Sequence, residues 1–406
     1  MSNVSSSNGL EKYPKLRFKG FSEPWISTVL SDTFKKNSKK NTDGEITNVI
    51  CNSAKNGLIP QREYFDKDIA NADNTDGYYI IEKDDFVYNP RKSAEAPYGP
   101  VSIYKYAEKG IVSPLYLCFR ALHPINAEFF DFYFKSSAWH RYIYLAGDSG
   151  ARHDRVSIRD DVFFAMPINL PSEAEQHKIS SLLSSIEKRI KAQAALVENL
   201  KKYKRGLVSS ILSEKIKISD EPWEECTIGD FLASKSIKQL PTEEAPLMAF
   251  TATGGVCDKG ERYDRGFLVK DASTKLYKRT DYGDFIYSSN NLDVGSIGLN
   301  LYGSAVISDV YEIFSINGAD PWFISEVIQQ KPIMRDILKY RQGCLYGQYR
   351  IYAEDFLSVK IRIPSLPLQS KIGTLISQVE SKILAEQGLL DNLEKCKAAL
   401  LQMMFI

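Results

Sequence analysis

The side chains of this 406-residue chain that could do chemistry are cations and amides clustered on loops. Lys35, Lys36, Lys39 and Lys40 form one group; Asn89, Arg91 and Lys92 follow Tyr88; Arg152, His153 and Arg155 follow Gly150. The second half repeats the theme. Lys275, Lys278 and Arg279 form a group, Asn290 and Asn291 follow Tyr287, and Arg341, Tyr346, Gln348, Tyr349 and Arg350 surround Gly343. Arg, Asn and Gln can make paired hydrogen bonds to base edges, whereas Lys mostly holds phosphate. Each cluster alone is better read as a solvated face. Their recurrence at matching places favours a nucleic-acid interface.

Motifs for other chemistry are missing. There is no G-x-x-x-x-G-K-[ST] phosphate loop, and Gly254-Gly255 lacks a following Lys-Ser or Lys-Thr. Tyr88-Asn-Pro-Arg91 opens like the catalytic Asn-Pro-Pro-Tyr run of amino-methyltransferases but lacks its second proline and closing aromatic. No nucleophile elbow is present. His123, His140, His153 and His177 have no metal-ligand spacing. The expectation is a chain that catalyses nothing by itself and binds no cofactor or metal.

The elements that must position these loops show a duplication. Residues 171–212 align without a gap to residues 364–405, with 16 of 42 positions identical. Roughly one match in sixteen is expected from composition. Within each copy, apolar residues recur at 3-4 spacing: Ile179, Leu183, Ile186, Ile190, Val197, Leu200, Leu207, Ile211, then Ile372, Ile376, Val379, Ile383, Leu390, Leu393, Leu400, Met404. Such a seam predicts coiled coil, and about 40 residues give a rod of roughly 60 Å. Both seams skip at the same two repeat positions, Gln193 and Lys204 in one, Glu386 and Lys397 in the other. Antiparallel packing about a two-fold axis would set Lys204 against Glu386 and Gln193 against Lys397. Ile190 and Ile383, with Leu200 and Leu393, would then serve as apolar helix–helix contacts.

The duplication extends weakly into the segments ahead of each rod. Glu23-Pro-Trp25 with Asp32 matches Glu221-Pro-Trp223 with Asp230; Asp85-Phe-Val-Tyr88 matches Asp284-Phe-Ile-Tyr287; Ile111–Tyr116 matches Val306–Tyr311. Short alternating runs and helical stretches at 126–146 and 321–340 indicate α+β folding. The expected order is a globular domain over residues 1–168, a helix over 169–214, a second globular domain over 215–361 and a second helix over 362–406. The expected fold is two α/β domains separated by two long antiparallel coiled-coil helices with a pseudo-two-fold internal repeat. A formal charge of +1 means that any nucleic-acid surface must come from local clustering. Six scattered cysteines without a C-x-x-C pair fit a reducing cytoplasm. The polar start, Met1–Gly9, lacks the apolar core of a signal peptide, and no apolar run is long enough to span a membrane.

The chain resembles the specificity subunits of type I restriction-modification systems over nearly its whole length. The carriers are Phe18-Lys-Gly-Phe21 with Trp25 and Asp32, Asp85-Phe-Val-Tyr-Asn-Pro90, the Gly150 and Gly343 segments, and above all the two Pro-Ser-x-x-x-Gln-x-Lys-Ile openings at Pro171 and Pro364. The resemblance implies that each globular domain is a target-recognition domain reading half of a split DNA sequence. It implies that the helices space the halves and dock two methyltransferase subunits, with two motor-nuclease subunits joining. Those partners would use S-adenosylmethionine, ATP and Mg²⁺. The sequence departs from its own repeat at Tyr287-Ser-Ser-Asn-Asn, against Tyr88-Asn-Pro-Arg-Lys, so base-reading residues are open. A cytoplasmic coiled-coil scaffold that binds protein is the rival reading; a fused enzyme half and a silent allele are the others.

Overall fold

The computed structural model describes residues 12–64, 75–149, 154–252, 254–258, 274–290, 292–343 and 349–406. Candidates Arg152, His153, Asn291, Tyr346 and Gln348 lie outside the described residues. The chain forms two compact units: Met1–Ala194 with Gly388–Ile406, and Ala195–Gln387.

The first unit is built on four antiparallel strands, β1 (Phe34–Lys36), β2 (Phe86–Tyr88), β3 (Val101–Ile103) and β4 (Leu117–Ala121), in spatial order β1-β4-β2-β3. Side chains alternate across a strand. Phe86 and Tyr88 therefore enter the main core with Phe34, Phe119 and α1 (Ala127–Lys135), while Val87 and Cys118 face a second cluster with Ile50, Leu58 and Ile81. Both faces are covered, which is why this run reads as continuously apolar. Phe34, Phe86 and Phe119 lie 5.3–5.5 Å apart in edge and stacked contacts.

The long helix α2 (Glu173–Leu212) begins where Ser172 caps it. Gln176 Nε2 donates back to the Pro171 carbonyl at 3.0 Å. Ile179 and Leu183 of α2 share the main core with Leu401, Met404 and Phe405. Phe405 packs 5.3 Å from Phe129, a burial worth about 1.5–3 kcal/mol.

The second unit repeats this plan. Strands β5 (Leu232–Ser234), β6 (Phe285–Ser288), β7 (Ile297–Leu299) and β8 (Tyr311–Ile316) run β5-β8-β6-β7, and α3 (Pro321–Ile328) covers them. Helix α4 (Leu366–Met404) opens like α2, with Gln369 Nε2 donating to the Pro364 carbonyl at 2.8 Å. The repeated Pro-Ser-x-x-x-Gln opening is thus a capping device. Val208 and Ile211 of α2 pack here with Leu368, Ile372 and Ile376 of α4. In each unit rising numbers on α2 meet falling numbers on α4, so the helices are antiparallel.

Three expectations need correction. The stretch 126–146 is two helices, Ala127–Lys135 and His140–Ala146, because Ser136 ends the first by donating its hydroxyl to the Tyr133 carbonyl. The stretch 321–340 is likewise split, at Gln329–Gln330, ahead of Pro332 near the start of Lys331–Leu338. The helix register also differs. Lys204 meets Glu380 at 2.8 Å rather than Glu386, and Lys397 meets Glu187 at 2.6 Å rather than Gln193. Glu386 pairs with Lys382 on its own helix at 2.6 Å. A lysine stem lies over apolar surface while its head reaches a carboxylate at the seam's edge, so skipped positions need not face one another. Gln193 and Ile383 are buried in their units; Ile190, Leu200 and Leu393 are half-buried.

Candidate nucleic-acid interface

The turn before each motif strand is anchored by its aspartate. Asp85, fully buried, accepts from the Glu82 amide at 2.8 Å and from both arms of Arg120 at 2.5 and 2.7 Å. Asp284 accepts from the Asp281 amide at 2.7 Å and from Lys235 at 2.8 Å. The residue ahead is left-handed in both, Asp84 at φ 69° and Gly283 at φ 86°. At the other end of the strand Tyr88 stacks on Phe163 at 5.0 Å and Tyr287 on Phe356 at 4.4 Å. Their hydroxyls donate to the Tyr98 and Ile351 carbonyls. Burial pushes both phenols well above their ordinary range. These tyrosines support the site and are not placed to stack on bases.

The loop that leaves each tyrosine is bridged to a short hairpin. In the first unit the hairpin is Asp148–Ser149 with Val156–Ser157, and Arg91 bridges to Arg155. The Val156 amide donates to the Pro90 carbonyl at 2.9 Å and the Lys92 amide to the Asp154 carbonyl at 2.8 Å. In the second unit the hairpin is Gln342–Gly343 with Tyr349–Arg350, and Asn290 bridges to Arg350. The Ile351 amide donates to the Ser289 carbonyl at 2.9 Å. The same backbone frame thus presents Arg91 in one unit and Asn290 in the other, both capable of paired bonds to a base edge.

In the first unit this frame borders a cleft of about 620 Å³ lined by Lys55, Asn89, Arg91, Lys92, Tyr116 and Arg155. Four cations against Glu95 make it electropositive. Asn89 is committed, donating to the Asn52 carbonyl and accepting from the Arg91 amide. Leu115, 59% exposed, sits at the mouth and also lines a neighbouring hollow with Lys36. Lys55 and Leu115 were not singled out from the sequence. Lys55 belongs to the turn between Ile50–Ser53 and Gly57–Pro60, and only strand pairing brings it here.

Other candidates are tied down. Lys36 holds Asp160 at 2.5 Å. Lys278, 12% exposed, holds Glu312 at 2.8 Å and the Tyr311 carbonyl; Arg279 holds Asp281 at 3.1 Å and Gln239 at 3.2 Å. A cation neutralised by its own carboxylate attracts a polyanion little, so these read as anchors of the sheet edge. Arg341 lies over Tyr349 at 5.3 Å and Arg350 over Tyr352 at 5.0 Å, which stiffens both guanidinium groups. Lys35, Lys39, Lys40 and Lys275 are exposed at the surface. Lys275 sits 5.2 Å over the Tyr277 ring. Among the described residues no group of three His, Cys, Asp or Glu side chains is placed to hold a metal, and no helix is long and apolar enough to cross a membrane.

Each unit thus carries a sheet, a loop-and-hairpin frame of one plan, and a length of both long antiparallel helices. Residues 29–202, somewhat under half of the chain, match the family model of the type I restriction modification DNA specificity domain. Two solved structures share the fold. One is the S subunit of a type I restriction-modification system from M. genitalium, 16% identical, with 97% of this chain and 99% of that chain covered at a TM-score of 0.59. The other, described as concerning complex assembly and conformational transition of the type I R-M system, is 11% identical, covers 94% and 98%, and has a TM-score of 0.53. No curated protein sequence matches the chain.

Proposed function

We propose that each unit reads one half of a bipartite target in duplex DNA, and that the paired helices set the unread spacer between the halves. The observation that carries this is the repeated frame, Arg91 bridged to Arg155 and Asn290 to Arg350, which offers different side chains from one backbone geometry. Different readers on a common frame give two unlike half-sites. On this reading the helices dock two adenine-N6 methyltransferase subunits, and two motor-nuclease subunits join the assembly in the cytoplasm. Methyl transfer from S-adenosylmethionine and ATP- and Mg²⁺-dependent cleavage belong to those partners, and this chain supplies recognition.

The test is a methylome. The chain is expressed with a cognate methyltransferase subunit in a methylation-free host, and modified adenines are mapped by long-read sequencing. A split motif that vanishes when the chain is omitted supports the reading. A stable complex that produces no motif overturns it.

A further inference from the structure

Each unit contains an ionic junction where its two long helices meet the reader's own helix. In the second unit Lys204 Nζ of α2 lies 2.5 Å from Glu326 Oε1 of α3 and 2.8 Å from Glu380 Oε2 of α4. One ammonium thus joins three helices, with all three side chains about one-fifth exposed. In the first unit the repeat partners recur: Lys397 lies 2.6 Å from Glu187, and Asp131 of α1 takes the place of Glu326.

The two junctions differ in charge. In the first, Lys135 bridges Glu187 and Asp131 at 3.1 Å each, and Lys105 adds a bond to Asp131 at 2.7 Å. Three lysines face two carboxylates. In the second, Gln330 stands in the place of Lys135, and its amide donates to the Glu326 backbone carbonyl at 3.2 Å. Among the described residues the ion pairs of Glu326 and Glu380 are with Lys204 alone. Two carboxylates left without their shared cation in a partly buried site repel each other.

We propose that Lys204 is a positioning residue that fixes the second reader on its helix pair, whereas Lys397 is backed up by Lys135 and is dispensable for the first. This deepens the DNA-reading role proposed above and rests on it. The full chain in complex with a methyltransferase subunit is compared with its Lys204→Met, Lys204→Arg and Lys397→Met variants by methylome mapping and by hydrogen exchange. Lys204→Met should cut modification on the order of tenfold at targets demanding the full sequence of one half-site, while the other half-site stays as strict as before. Exchange should rise at Pro321–Ile328. Lys204→Arg should restore both readouts, and Lys397→Met should leave the motif and the protection of Ala127–Lys135 unchanged. Equal blurring of both half-sites, equal damage from Lys397→Met, or no change with Lys204→Met overturns the proposal. If the Lys204→Met complex does not accumulate, Lys204→Met/Glu326→Gln removes the repulsion and should recover it; a double variant no better than the single also overturns it. Hydrogen exchange reads the junction without DNA. A wild-type complex that gives no split motif therefore fails the DNA-reading role, while the exchange result still decides the junction.

Discussion

Gly99 shows how closely single atoms shape the loop after Tyr88. It sits at φ +82°, and a β-carbon there would fall 2.1 Å from the Asn89 carbonyl oxygen. Both the left-handed backbone and the close approach require glycine, so Gly99→Ala should cost about 1–3 kcal/mol and push the Asn89–Lys92 loop out of place. The expected outcome is a melting temperature lowered by a few degrees, with methylation weakened at one half-site only. An unshifted melting curve and an intact motif would show that the loop has room to give. Glu187 makes a second, pH-dependent prediction. Burial would raise its carboxyl, but Lys135 and Lys397 prevail and hold it at about 2. A depressed carboxyl contributes stability that is present above its unfolded value and lost as pH falls from about 4.5 toward 2. At neutral pH that contribution is at most about 3 kcal/mol. Urea titrations at pH 7 and pH 3 should therefore show Glu187→Gln less stable than wild type at the higher pH, with the gap narrowing at the lower. A gap of equal size at both would refute the linkage.

At the scale of elements, the helices were legible because a 3.6-residue period and a gapless duplication are carried in the chain itself. Their antiparallel sense followed from the repeat. Their register did not, because Lys204 and Lys397 reach carboxylates beside the seam instead of the skipped positions that sequence symmetry suggested. The breaks at Ser136 and ahead of Pro332 escaped for a similar reason: strong apolar runs on both sides hide a local cap. Of the candidate site, the loop after Tyr88 and its partner after Tyr287 were legible from the matched motifs. The sorting of cations into reachable and neutralised was not, since Lys278 meets Glu312 only through the pairing of separate strands. The ruler role can be tested on these elements. One heptad of about seven residues is removed between Glu187 and Lys204, and the matching heptad between Glu380 and Lys397, which spares both ionic junctions. The methylation motif should keep both half-sites and change its unread spacer. Unchanged spacing would end the ruler idea.

At the scale of the whole molecule, the two units are alike in plan and unlike in how the chain supplies them. Ala195–Gln387 is one uninterrupted run, whereas the other unit is assembled from residues on both sides of it. During synthesis the second unit has all its components once Gln387 has emerged. The first has been made earlier, yet the faces of Phe129 and Tyr133 that Phe405 covers lack that cover until residues 388–406 arrive. Domains fold as units while the ribosome is still working, and bare aromatic surface in that interval invites chaperones and proteases. The unit translated first is thus the last to close, and its maturation is timed by the translation of its sibling.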